Sequence, residues 1–192
     1  MAVHPGRHHL GMDRGRIVLH TFRDGLAATA GHDLTIEVGR WSGELTVNED
    51  QSPDGLTVQI DMGSLIVRDG TGGLKPLTDR DRREIAVTAG KVLAADRHPE
   101  ASFTAGEFEP GANGSGTVTG TLTLAGVARP LRLQVSQTGP GQYHATTSVV
   151  QSTHGIKPYT GFLGALRVRD AVNVDIDVDL SEPDGDAGGQ QA

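Results

Sequence analysis

The strongest constraint on this chain is an alternation of apolar and polar residues with a period of two. Val172, Val174, Ile176, Val178 and Leu180 alternate with Asn173, Asp175, Asp177 and Asp179. On a strand, successive side chains leave opposite faces, so the aliphatic set faces one way and the polar set the other. On a helix the same residues would scatter around the circumference. The pattern recurs in Leu34, Ile36 and Val38 about Thr35 and Glu37, and in Leu56, Val58, Ile60 and Met62 about Thr57, Gln59 and Asp61. It recurs again in Val118, Leu122 and Leu124 and in Leu131, Leu133 and Val135. Arg16 to Phe22, Gly43 to Val47, Ala101 to Glu107, Tyr143 to Val150 and Leu163 to Val168 are further candidate strands. Turn chemistry separates many of them, at Pro53-Asp54-Gly55, Pro110 to Gly114, Gly126 with Pro130, and Gly139-Pro140-Gly141. About eight strands with one apolar face each must close on a shared interior. The fold class read here is all-β, a single antiparallel barrel of about eight strands with one short α-helix.

That helix is expected over Thr78 to Ala95. Thr78 is a suitable N-cap, and Asp79 and Asp81 occupy the first turn, where the helix dipole favours anions. Ile85, Thr88, Ala89, Val92 and Leu93 then share one face, and the run stops before His98-Pro99. The preceding Arg68 to Pro76 stretch, RDGTGGLKP, reads as a Gly-rich loop that with the helix lies across one barrel end. Both chain ends are poor in packing residues. Met1 to Gly15 and Ser181 to Ala192 are therefore expected to be disordered tails flanking a domain over residues 16–180.

Charge and composition narrow the function. The chain has no Cys, which removes disulfides and thiolate metal sites. A formal net charge of −7 argues against bulk nucleic-acid binding and against binding to an anionic membrane surface. No run approaches a membrane-spanning helix, and none near the N-terminus suits a signal peptide, so a cytoplasmic location is the expectation. No metal-binding or nucleophile motif is present. His32, His98, His144 and His154 offer a zinc or iron site only if the fold gathers them. Gly70 to Gly73 lacks the Lys-Ser/Thr of a phosphate loop. The Asp175, Asp177 and Asp179 row suits either a cation or a solvated face protecting an edge strand.

His32 shares the parity of Leu34, Ile36 and Val38 and so points inward. It is read either as a hydrogen-bonded rim residue or as a polar contact for a ligand head group. Tyr159, Phe162 and Leu163 pose the choice between filling a core and lining a cavity. Aromatic residues are only 4% of the chain. An eight-stranded barrel walled by Val, Leu, Ile, Ala and Thr either packs its interior or leaves room for one small ligand.

Four stretches resemble the YceI family of polyisoprenoid-binding proteins: Gly31 to Leu45, Val92 to Phe108, Gly120 to Leu133 (GTLTLAGVARPLRL) and His154 to Leu180. The resemblance implies a lipocalin-like barrel of bacterial type with a long apolar interior, holding an isoprenoid lipid or similar amphiphile as a carrier or store. It implies neither catalysis nor a cofactor. Strand parity then makes His32, Leu34, Ile36, Val58, Ile60, Phe103, Leu122, Leu133, Tyr159, Phe162, Val174 and Ile176 the candidate ligand-binding surface. His32, Arg97, His98 and Lys157 are candidate donors to a head group, which must stay at a wet mouth because burying it unpaired is costly. A small-molecule enzyme using His32 as acid/base and a closed stress-response barrel without ligand are the competing readings. Either solution state, monomer or homodimer, fits the sequence.

Overall fold

The computed structural model describes residues 3–181. In chain order the elements are β1 (Gly6–Gly11), β2 (Gly15–Thr21), β3 (Arg23–Asp24), β4 (Asp33–Val38), β5 (Trp41–Val47), β6 (Pro53–Asp61), β7 (Leu65–Thr71), α1 (Asp79–Val92), β8 (Glu100–Pro110), β9 (Ser115–Leu124), β10 (Val127–Gly139), β11 (Gln142–Val150), β12 (Thr160–Gly161), β13 (Leu166–Val168) and β14 (Ala171–Asp179). Eleven strands form one sheet in the order β1-β5-β6-β8-β9-β10-β11-β14-β2-β4-β7, and β12, β13 and β3 form a small second one. All pairings are antiparallel.

The sheet wraps because three pairs of consecutive strands behave as single bent staves. Only Gly39 and Arg40 separate β4 from β5. Trp41 of β5 faces Ile60 of β6, while Val38 of β4 faces Leu65 of β7. The ladder is carried around the corner by the Gly39 N–H to the Ser64 carbonyl (2.8 Å) and by the Asp61 N–H to the Arg40 carbonyl (3.0 Å). A Cβ at Gly39 would lie 2.5 Å from the Ser64 oxygen, so this close approach requires glycine. On the other flank, β1 pairs with β5 and β2 with β4. The eight staves are thus β1/β2, β4/β5, β6/β7, β8, β9, β10, β11 and β14.

The helix forms as its cap chemistry requires. The Thr78 hydroxyl accepts from the Asp81 N–H, and the Asp81 carboxylate accepts from the Thr78 N–H at 2.8 Å, a reciprocal capping box. The helix spans the β7–β8 connection and covers one end of the barrel; its Ile85, Ala89, Val92 and Leu93 pack on the core. This helix end also carries β3, β12 and β13. The opposite end consists of short connections between paired strands, β5–β6, β8–β9 and β10–β11, and is called the hairpin end below.

Several expectations are corrected. Residues 6–11 are not a tail, because β1 pairs with β5 from Gly6 opposite Val47 to Gly11 opposite Ser42. Leu10 is its only large buried side chain; the rest is held by backbone pairing, which composition does not register. Residues 182–192 lie outside the described residues. Leu65–Thr71 is strand rather than the start of a loop. Pro53-Asp54-Gly55 opens β6, and the turn lies earlier, where the Asn48 N–H donates to the Ser52 carbonyl. A proline at the first strand position removes no donor the ladder needs. The β9–β10 turn is Ala125-Gly126, both with positive φ, and Pro130 sits inside β10 opposite Thr121. Leu163 belongs to a 3-10 turn, with the strand starting only at Leu166.

Candidate functional site

The barrel interior is hollow. Two groups of buried side chains line it, one from β6, β8, β9, β10 and β11 around Phe103, Leu122 and Leu133, and one from β1, β2, β4, β5, β7 and β14 around Ile17, Ile36 and Val174. None of the large side chains among the described residues is completely buried, as expected where wall residues face space instead of one another. The cavity between them has a volume of about 1160 Å³. Strand alternation directs Leu34, Ile36, Val58, Ile60, Phe103, Leu122, Leu133, Val174 and Ile176 into it, and Ile85, Thr88, Ala89, Val92 and Leu93 line it from the helix.

Polar side chains collect at the two ends. Arg23, His32, Gln151, Tyr159 and Arg167 line the helix end, and Asp50, Gln51, Ser52, Glu109 and Gln137 the hairpin end. The His32 Nε2–H donates to the Lys75 carbonyl at 2.8 Å. Arg23 donates to the Gly31 carbonyl at 2.9 Å and lies 3.8 Å from the Asp33 carboxylate. The Gly-rich run now has a physical role. A Cβ at Gly72 would lie 2.1 Å from the Arg23 guanidinium, and one at Gly73 would lie 2.1 Å from His32 Nε2. These glycines let the β7–α1 loop lie directly on the Arg23 and His32 side chains.

Gln151 and His154 close the same end beneath β14. Gln151 is buried and donates to the Arg169 carbonyl at 3.0 Å. His154, also buried, donates through Nδ1 to the Val127 carbonyl at 2.9 Å and locks the start of β10. Within the apolar wall, the Trp41 indole N–H and the Thr21 hydroxyl are buried and have no hydrogen-bond partner.

Of the twelve candidate ligand-contact residues, Phe162 lies outside the cavity, 68% exposed, because its positive φ of 47° turns it away from the interior. His32 and Tyr159 line the cavity with the nine aliphatic and aromatic strand residues. Among the expected donors only His32 reaches it; Arg97, His98 and Lys157 do not. Arg23 and Arg167 stand in their place. Sequence parity missed them because they sit on the short β3 and β13, too brief for an alternating pattern.

The four histidines considered as metal ligands go to separate partners. His32 and His154 bind carbonyls, His144 binds Asp177 at 2.8 Å, and His98 packs under Gly126. No group of three or more His, Asp or Glu among the described residues could hold a metal ion. The acidic row lies on β14, which is flanked by β11 and β2 and is not an edge. Asp175 pairs with His20 at 2.9 Å, and Asp177 with Arg16 at 2.7 Å as well as His144. Partial burial pushes the Asp177 carboxyl up, but hydrogen bonds from Arg16 and His144 outweigh it and hold the group below the usual carboxylate range. No helix of the described residues is long and apolar enough to cross a membrane.

A hollow antiparallel barrel with an aliphatic wall and polar ends defines a lipocalin-like β-barrel. The family model for the YceI-like domain matches residues 20–180, and the chain belongs to that family. UPF0312 proteins of two Shewanella strains, ANA-3 and MR-4, are 31% and 33% identical over 84 residues. The matched stretch is 39% of this chain and 44% of each relative, so less than half the length of either is spanned. BcnA of Burkholderia cenocepacia shares the fold with a TM-score of 0.63 at 14% identity, over 85% of this chain and 94% of its own. The Campylobacter jejuni YceI protein aligns with a TM-score of 0.58 at 19% identity, over 78% and 85%. A polyisoprenoid binding domain from Saccharophagus degradans, implicated in plant cell wall breakdown, aligns with a TM-score of 0.53 at 12% identity, over 88% and 95%.

Proposed function

We propose that this protein binds one long-chain isoprenoid or similar amphiphile inside the barrel and acts as its carrier or store. The observation that carries the reading is the apolar cavity of about 1160 Å³. That is above the usual range of small-molecule pockets, roughly 300–1,000 Å³, and its wall between the polar ends is mainly aliphatic. Moving apolar chain from water into such a wall contributes about 25 cal/mol per Å², so a polyprenyl chain needs few directional contacts. The polar head stays at an end. Arg23, Arg167, His32 and Tyr159 suit an anionic or hydroxyl head group there, because charge-assisted bonds offset its partial dehydration. The polyisoprenoid-binding domain of like fold supports this ligand class. The acid/base alternative has less support. The His32 Nε2–H is held by the Lys75 carbonyl and not by a buried carboxylate that would favour acid/base chemistry.

The chain contains a single Trp, and Trp41 faces the cavity with its indole N–H unpaired. Titration with a detergent-dispersed polyprenyl alcohol should therefore change Trp41 emission saturably, at one ligand per chain. A flat titration with both polyprenyl alcohol and polyprenyl diphosphate would overturn the proposal.

A further inference from the structure

Three loops at the helix end of the barrel expose large apolar side chains. Leu26 and Leu163 are fully exposed, Leu74 is 79% exposed and Phe162 68%. The loops are adjacent. The Ala27 N–H donates to the Ala165 carbonyl at 2.9 Å, which joins the Leu26 loop to the Phe162–Gly164 turn. Lys75, next to Leu74, accepts the His32 hydrogen bond. Phe162, Leu163 and Gly164 take successive positive φ values of 47°, 56° and 92°. Two consecutive bulky residues rarely adopt that conformation, and here it holds both apolar side chains outward. Clustered exposed apolar side chains beside a binding cavity mark an interaction surface.

Charge selects the partner. The three loops and the residues that bound them, 22–33, 72–77 and 156–170, carry Arg23, Lys75, Lys157, Arg167 and Arg169 against Asp24, Asp33 and Asp170. The helix start beyond them adds Arg80, Arg82 and Arg83 against Asp79, Asp81 and Glu84 and so leaves the balance unchanged. At the hairpin end, residues 48–54 and 107–116 carry Glu49, Asp50, Asp54, Glu107 and Glu109, and Asp179 adds to them, against Arg7 at the start of β1 and Arg14. A chain of net charge −7 is thus polarised along the barrel axis, basic and apolar at one end and acidic at the other. We propose that the helix end docks on the surface of a bilayer containing anionic phospholipid, with Leu26, Leu74, Phe162 and Leu163 entering the acyl boundary. Interfacial binding of this kind adds buried apolar area to attraction by anionic headgroups. It sets the helix end of the cavity, lined by Arg23, His32, Tyr159 and Arg167, against the bilayer, where an isoprenoid chain can pass between membrane and barrel. The inference rests on the carrier reading above for its purpose, but its surface is tested separately.

The test is co-sedimentation of the full chain with vesicles of phosphatidylcholine and phosphatidylglycerol, and with vesicles of phosphatidylcholine alone. The wild type should partition onto the mixed vesicles and be released by high salt. Leu26→Ser and Leu163→Ser should each weaken partition by about tenfold or more, the cost of losing one leucine from the acyl boundary. Met12→Ser, an exposed apolar residue 56% accessible in the β1–β2 corner and away from the helix end, should bind as the wild type does. All three should keep the wild-type thermal transition and the Trp41 titration. Equal binding of the rim variants and the wild type would overturn the inference, as would failure of the wild type to bind mixed vesicles. So would a wild-type dimer that the rim substitutions dissociate, since the surface would then serve a second copy. Isoprenoid uptake without vesicle binding leaves the carrier reading standing and removes this one; vesicle binding through the rim without uptake does the reverse.

Discussion

Placing tryptophan at Val174 separates a lipid tunnel from an ordinary core. Val174 is 8% exposed, sits on β14 between Thr147 and Leu19, and faces the cavity. In a filled interior the larger ring would force neighbours off their rotamers and cost about 1–3 kcal/mol. For a domain of this size that lowers Tm by roughly 2–12 °C. With about 1160 Å³ of space in front of it, the indole can instead turn inward, and the stability loss should stay under about 1 kcal/mol. The ligand then suffers the loss. An inserted tryptophan covers roughly 150 Å² of surface that the chain would have buried. At about 25 cal/mol per Å² this removes about 3–4 kcal/mol of binding, a few hundredfold in Kd. Thermal denaturation and calorimetric titration with a polyprenyl alcohol read the two quantities side by side. A variant that loses several degrees of Tm and still binds as tightly as the wild type would refute the reasoning.

Leu10→Ala tests whether β1 is part of the barrel: loss of a buried wall residue should cost about 2 kcal/mol, at the low end for leucine because the site already borders a cavity, read by urea unfolding. An unchanged midpoint would return residues 6–11 to the status of a tail. Asp177→Asn tests the outer-face network through pH. The folded-state pKa of Asp177 lies below its ordinary value of 3.8, so its stabilising contribution is present above about pH 4 and is lost as pH falls below that. The wild type should therefore lose Tm more steeply than the variant between about pH 5 and pH 2, and parallel curves would show that Asp177 contributes nothing to folding.

How much of this was legible in the sequence depended on how each residue is held. Strand parity places Leu34, Ile36, Val58, Ile60, Phe103 and Val174 on the inner wall because a period of two on a half-buried strand leaves one choice of face. The helix and its cavity face were readable for the same kind of reason, from Thr78, Asp81 and the spacing of Ile85, Ala89 and Val92. The parts that escaped lack a side-chain signal. β1 is held by its backbone, and β3 and β13 are two and three residues long, so Arg23 and Arg167 were not found. Phe162 misled because a phenylalanine beside an apolar cavity is ordinarily inside it; only the backbone conformation reveals that it faces outward. Gly72 and Gly73 read as a flexible loop, while their actual constraint, contact with Arg23 and His32, comes from residues some forty or more positions away.

The most direct measurement of the central claim is native mass spectrometry of the protein as purified, followed by organic extraction and identification of what it releases. The account predicts a fraction of chains carrying one extra mass in the range of a long isoprenoid lipid, lost on denaturation and recovered in the organic phase. Only the bare chain mass, with no isoprenoid or long-chain amphiphile extracted and none taken up when the protein is offered polyprenyl alcohol and polyprenyl diphosphate, would contradict it.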